Sequence, residues 1–209
     1  MTSNSFKIGV LVSGRGTNLQ AIIDAIENGE LNADIAVVLS NKKDAPALER
    51  AQKKGIETAY LDPKQFASKK EYDLALAGEL KNRRVDLVCL AGYMRILNPE
   101  FIGMFPDKII NIHPSLLPAF PGLDVQQKAI DYGVKFSGCT VHFVNEEVDG
   151  GPIILQAVVP VLPSDDAGTL SERILIQEHL IYPRAIQMIA ENRLHIENRK
   201  VSYKESVSS

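Results

Sequence analysis

The sequence predicts an α/β fold: a mostly parallel, twisted sheet with helices on both faces, and antiparallel strands in the C-terminal part. Three observations predict it. Two apolar runs with little alternation, Lys7 to Val12 and Val85 to Ala91, suit strands covered on both faces. Between such runs the apolar residues recur at helical spacing, which gives a βαβα rhythm as far as residue 113. Beyond it the pattern alternates, with Cys139, Val141 and Phe143 on one side and Thr140, His142 and Val144 on the other.

The elements follow in order. After the strand at Lys7 to Val12, a helix is marked by Leu19, Ile22, Ile23 and Ile26. Ile35 to Leu39 is the next strand, and Ala45 to Lys53 the next helix, ended by Gly55. Ile56 to Leu61 reads as a strand and Lys69 to Asn82 as a helix. The buried strand Val85 to Ala91 precedes a short helical turn at Asn98 to Gly103 and the strand Lys108 to His113. Right-handed crossovers are expected throughout this half. Ser137 to Val144 and Pro152 to Val159 form two further strands around the turn Asp149-Gly150-Gly151. The last helix is expected to start at Thr169, with Glu172 completing a capping box, and to run to Arg193 with an interruption near Pro183. Leu194 to Lys204 reads as a short hairpin and Glu205 to Ser209 as a frayed tail. With no repeat, low-complexity segment or linker, residues 1–209 are expected to form a single domain, and 194–209 a short C-terminal extension.

The 209 residues are 45% apolar and 23% charged, ordinary for a globular chain, and carry a net charge of −3. A chain of this length buries roughly 70% of its unfolded surface without staples. The absence of a basic excess argues against nucleic acid as the main ligand. Cys89 and Cys139 lie in apolar strands and read as buried thiols. No apolar run approaches the ~20 residues of a membrane span, and Met1 to Ser5 lack a signal-type pattern. The expected location is cytoplasmic. His142, His179 and His195 show no metal-ligand spacing and read as structural; no metal is expected.

Chemistry concentrates in Asn111-Ile112-His113-Pro114-Ser115-Leu116-Leu117-Pro118. Residues two apart on a strand share a side, so Asn111 and His113 aim at one point past the strand end. An amide donor beside a titratable ring is suited to holding an oxyanion and moving a proton; a polar strand end followed by a loop is the plainer alternative. Asp149, if near His113, would support the imidazolium or relay a proton; alone, Asp149-Gly150 is simply a turn.

The loop Ser13-Gly14-Arg15-Gly16-Thr17-Asn18-Leu19 joins the first strand to the first helix, where free N–H groups and the helix dipole favour an anion. It is otherwise a tight turn with a polar cap. Leu19 replaces the third glycine of a dinucleotide motif, the second strand ends on Ser40-Asn41 without an acid, and the Walker lysine is missing. A single phosphomonoester remains. Leu90 to Leu97 would accept a flat heteroaromatic ligand, with backbone groups of Arg95 and Leu97 on its polar edge, or would be a packed apolar loop. Glu178 lies in an apolar helix segment and wants either sugar hydroxyls or an ion pair with Arg173 or Arg184.

Together these motifs, with Pro121-Gly122 and Val148-Asp149-Gly150-Gly151-Pro152-Ile153, resemble the folate-dependent phosphoribosylglycinamide formyltransferases over about residues 6 to 193. The resemblance implies a Rossmann-like formyltransferase fold and transfer of a formyl group from 10-formyltetrahydrofolate, as cosubstrate, to glycinamide ribonucleotide. It makes Asn111, His113 and Asp149 the catalytic trio, and Gly16, Thr17 and Asn18 the phosphate loop. It places Glu178 on the ribose. The folate pocket falls to Met94, Arg95, Ile96 and Leu97 together with Asn145, Glu146, Glu147, Val148 and Asp149, and Lys69 stands where an arginine often contacts ligand. It also implies a cis bond before Pro118, and small-molecule partners only, with a monomer or weak homodimer. A formyl transferase with another amine acceptor, a formyltetrahydrofolate hydrolase and a non-catalytic sensor are the alternatives.

Overall fold

The computed structural model describes residues 5–203. Its contacts group the chain into two compact units, Met1–Asn111 and Ile112–Ser209.

The first unit alternates strand and helix: β1 (Lys7–Val12), α1 (Thr17–Glu27), β2 (Asp34–Ser40), α2 (Pro46–Lys53), β3 (Thr58–Tyr60), α3 (Lys69–Asn82), β4 (Leu87–Leu90) and α4 (Pro99–Gly103), then β5 (Ile109–His113), which crosses the boundary. A 3-10 turn at Pro63–Gln65, not foreseen, precedes α3. The strands run parallel, β1 between β2 and β4, β3 outside β2 and β5 outside β4. From β1 the chain first winds outward through β2 and β3, then returns to the other side of β1 as β4 and β5. That reversal makes the C-terminal ends of β1 and β4 the place where an open α/β sheet binds ligand.

The burial explains the patterns. In β1 the residues from Ile8 to Val12 are all buried, as are the four residues of β4, so both are covered on both faces. Helix α1 buries Leu19, Ile22 and Ile23 at helical spacing. Pro46 opens α2, where its missing N–H costs nothing. Ser68 caps α3 by accepting from the Glu71 N–H, and the Glu71 carboxylate accepts from the Ala67 N–H.

The second unit holds the end of β5, α5 (Val125–Tyr132), β6 (Phe136–Phe143), β7 (Ile153–Pro160), α6 (Ala167–Ala190) and the hairpin β8 (Leu194–Glu197)–β9 (Lys200–Tyr203). Strands β6 and β7 pair antiparallel, and the strand order of the sheet is β3-β2-β1-β4-β5-β6-β7. The α/β class with a mostly parallel sheet and antiparallel C-terminal strands is therefore as the sequence predicts. The alternation along β6 does not separate inside from outside, because Thr140 and His142 are as buried as Val141. It separates an apolar environment from a hydrogen-bonded one.

Three further details differ from expectation. Helix α5 was not foreseen; it is short and buries only Val125 and Ala129, too weak a stripe to read. Helix α6 starts at Ala167, with Asp166 accepting from the Thr169 N–H, so Thr169 is the inner partner of the capping box rather than the cap. Pro183 does not interrupt α6: buried Tyr182, Pro183, Ala185 and Ile186 hold the helix through it, packing outweighing the lost hydrogen bond. The terminal hairpin is present through Tyr203; Lys204 and the expected tail at Glu205 to Ser209 lie outside the described residues.

Among the described residues no helix is long and apolar enough to cross a membrane, and no group of three or more His, Cys, Asp or Glu is placed to hold a metal ion.

Candidate active site

In the first unit the β1–α1 loop is built around Gly16, the N-cap of α1, at φ +72°. A Cβ there would meet Ala47 Cβ at 2.5 Å and the Ala47 backbone at 2.8 Å, so only glycine fits. The Ala47 N–H donates to Gly14 O, and Arg50 Nε donates to Arg15 O, so α2 fixes the loop. The N-cap makes no side-chain hydrogen bond, and no acid sits in the first turn of α1. Gly16, Thr17 and Asn18 stand at this end.

Ser13 links three strand ends. Its Oγ–H donates to Asn41 Oδ1 (2.6 Å) and accepts from the Met94 N–H (2.8 Å), while its own N–H donates to Gly92 O. The loop after β4 is thereby tied to the end of β1. Within it Tyr93 and Leu97 are buried, but Met94 and Ile96 stay 67% and 64% exposed. Arg95 lies over the Tyr72 ring at 4.9 Å. Lys69, on the first turn of α3, pairs with the fully buried Asp73 at 3.1 Å. Leu90 at the end of β4 is paired in register with Asn111 on β5.

In the second unit His113, 5% exposed, brings its Nδ1 to 3.4 Å from Asp149 Oδ2. Its Nε2 lies 3.0 Å from the Phe120 carbonyl. A carbonyl only accepts, so Nε2 carries a proton and Nδ1 is the nitrogen directed at the carboxylate. Asp149, in the left-handed region at φ +53°, accepts the Gly122 N–H at Oδ2 (2.8 Å). Phe120 is also left-handed at φ +52°, which a bulky residue adopts only where its surroundings impose it.

The segment before Phe120 is held by side chains of β6 and β7. Thr140 Oγ1 donates to Ser115 O and accepts from the Leu117 N–H. Gln156, opposite Thr140 in the ladder, donates to Leu117 O and Thr140 Oγ1. Ser115 Oγ closes the loop onto Ala119 O, and the Leu117–Pro118 peptide is cis, as the resemblance implies. The turn between β6 and β7 closes at Gly151, where a Cβ would fall on the Phe143 carbonyl. Asn145 accepts from the Glu147 N–H; Glu146, Glu147 and Val148 point to solvent, and Glu147 meets Arg199 of the hairpin at 3.5 Å.

His142, read from sequence as structural, directs Nε2 toward Asp149 Oδ1 at 3.8 Å while its Nδ1–H donates to Phe143 O. Burial pulls its pKa below the ordinary value against the opposing pull of the Phe143 carbonyl and Asp149. Its position two residues from Thr140 on the polar side of β6 is the signal that could have found it. Glu178 is buried on α6, near enough to Cys139 for its charge to assist burial in pushing that thiol up to about 12. The Arg173 guanidinium binds both oxygens of Asp165 and holds that carboxyl well below the usual range. The sequence also missed Tyr72, Asp73, Thr140 and Gln156, whose hydrogen bonds reach across 21 to 39 residues of chain.

A model of the formyl transferase family matches residues 6–186. A phosphoribosylglycinamide formyltransferase of Haemophilus influenzae is 50% identical over 92% of this chain and 91% of its own length. Glycinamide ribonucleotide transformylase 1 of Symbiobacterium toebii, a solved structure, superposes with a TM-score of 0.95 at 53% identity, over 96% of this chain and 95% of that one. The trifunctional purine biosynthetic protein adenosine-3 of Drosophila pseudoobscura pseudoobscura is 50% identical over 90% of this chain, which spans only 14% of that protein's length. With a family match running through both compact units and relatives of half-identical sequence over nearly the whole chain, the protein belongs to the formyl transferase family.

Proposed function

We propose that this protein transfers the formyl group of 10-formyltetrahydrofolate to the amine of 5'-phosphoribosylglycinamide, a step of de novo purine biosynthesis, and that residues 1–209 act as one formyltransferase domain. The observation that carries the proposal is the His113–Asp149 pair at 3.4 Å, two residues along β5 from Asn111. The names of the relatives at 50% and 53% identity support the choice of acceptor.

The neutral amine attacks the formyl carbon, and negative charge develops on the formyl oxygen. The Asn111 carboxamide and the His113 Nε2–H donate to that oxygen, each supplying about 3 kcal/mol by analogy with other oxyanion holes. The Phe120 carbonyl, 3.0 Å from Nε2, marks a position an acceptor oxygen occupies, and the oxyanion takes over that hydrogen bond. Asp149 stabilises the imidazolium from the Nδ1 side and assists the amine proton toward the leaving folate nitrogen. The positive end of α1, with Gly16, Thr17 and Asn18, holds the phosphate, and Glu178 the ribose. Met94, Arg95, Ile96 and Leu97, with Asn145, Glu146, Glu147 and Val148, form the folate contacts; exposed Met94 and Ile96 offer apolar surface for a flat ring. Aligning two bound substrates supplies much of the remaining rate.

A spectrophotometric assay with both substrates tests this, run with and without His113→Ala. Folate consumption that requires the ribonucleotide and collapses in the variant supports the proposal. Consumption without the ribonucleotide would replace it with a hydrolase, and folate binding without turnover would replace it with another acceptor or a sensor.

A further inference from the structure

We propose that Tyr72 and Asp73, on the first turns of α3, are positioning residues for the formyl donor: they hold the loop after β4 so that Met94 and Ile96 face outward. The inference rests on the folate reading above. The loop alternates, with Tyr93 and Leu97 buried, Arg95 half-buried, and Met94 and Ile96 exposed. Apolar side chains keep an outward direction only if the residues between them are anchored inward, and α3 supplies the anchors.

The Tyr93 hydroxyl meets the Tyr72 hydroxyl at 3.1 Å. The Arg95 guanidinium lies over the Tyr72 ring. The loop then ends at Asn98, whose N–H donates to Asp73 Oδ2 at 2.9 Å and whose own side chain caps α4. Two adjacent residues of one helix thus fix both the middle and the end of the loop, while Ser13 fixes its start. A loop held at three points loses little entropy when a ring settles on it, which favours tight binding.

Asp73 gives this frame a weak point. It is fully buried, and its Oδ1 has no hydrogen-bond partner among the described residues. The Asn98 N–H and the Lys69 ammonium are what offset the cost of burying its charge. Lys69, the position the resemblance links to ligand contact, therefore acts on the donor through Asp73 and the loop.

The test is calorimetric titration with tetrahydrofolate, together with kcat and the KM of each substrate. Asp73→Asn and Lys69→Met should each raise the tetrahydrofolate Kd about tenfold, the scale of one hydrogen bond to a charged group. The double variant should be no worse than the poorer single one, since both break the same pair. Tyr72→Phe, which keeps the ring under Arg95, should raise Kd about threefold and carries the test if Asp73→Asn does not fold. The KM of the ribonucleotide and kcat should stay unchanged, whereas general loosening of the fold would move them too. Unchanged Kd in Asp73→Asn and Tyr72→Phe, with a rise in Lys69→Met alone or additive effects in the double variant, would overturn the inference in favour of direct contact by Lys69. Absence of tetrahydrofolate binding by the unaltered protein would overturn the folate reading and this inference together.

Discussion

The loop after β1 and the loop after β5 do opposite things with the same raw material. The first is made of backbone: Gly16 turns it, Ala47 and Arg50 hold its carbonyls, and it leaves the N–H groups of α1 without a side-chain cap. The second leans on side chains: Thr140 and Gln156 hold the peptide groups of Ser115 and Leu117, and further along the same loop the Phe120 carbonyl and the Gly122 N–H meet His113 and Asp149. Labour is divided between the two loops. Free backbone donors bind charge without changing protonation, whereas a ring and a carboxylate need their tautomer and direction set from outside. Substitutions in the first loop should therefore act on binding, and those around the second on turnover.

The largest effect is expected at Asp149. Asp149→Asn keeps an oxygen for the Gly122 N–H but removes the charge beside His113, and should lower kcat at least ~100-fold with substrate KM nearly unchanged. Steady-state kinetics check it; near-normal turnover would reduce Asp149 to a turn residue. The next effect breaks the comparison from the other side. Gly16→Ala forces a side chain into a left-handed position, at about 1–2 kcal/mol, and against Ala47. It should raise the KM of the ribonucleotide about tenfold, leaving the KM of the folate and kcat in place. An equal loss in both substrates would mean that the loop serves the fold rather than the phosphate.

The smallest effect concerns pH. His142 has its pKa depressed by burial from the ordinary 6.5. Below that value the unfolded chain binds a proton that the folded chain refuses, so stability is lost as pH falls through the folded value. His142→Gln should shrink the fall in urea midpoint between pH 7.5 and 5.5, at constant m-value. An unaltered fall would locate the pH sensitivity elsewhere.

The same contrast explains what the sequence disclosed. The form of the β1–α1 loop was legible because it follows from local order: strand, glycine, helix start. Asn111 and His113 were legible because two residues on one strand share a side. The meeting of His113 with Asp149 required the β6–β7 turn to fold back, which no local pattern encodes. The supports were less visible still. Thr140 and Gln156 look like ordinary strand residues until the ladder sets them opposite each other, and Asp73 looks like a helix-surface acid until burial shows it at 0% exposure. Pro183 and the true cap of α6 were misjudged for a related reason, since local propensity yields to packing.

Asn111 as a stabiliser of the transition state, rather than of a bound substrate, is the core of the proposed mechanism. Its most direct test is the rate of a single turnover by Asn111→Ala with both substrates saturating. A fall of about 10²–10³-fold, with dissociation constants within a few-fold of the unaltered protein, is the expected result. A weakened substrate Kd with an unchanged single-turnover rate would contradict the account and make Asn111 a binding residue.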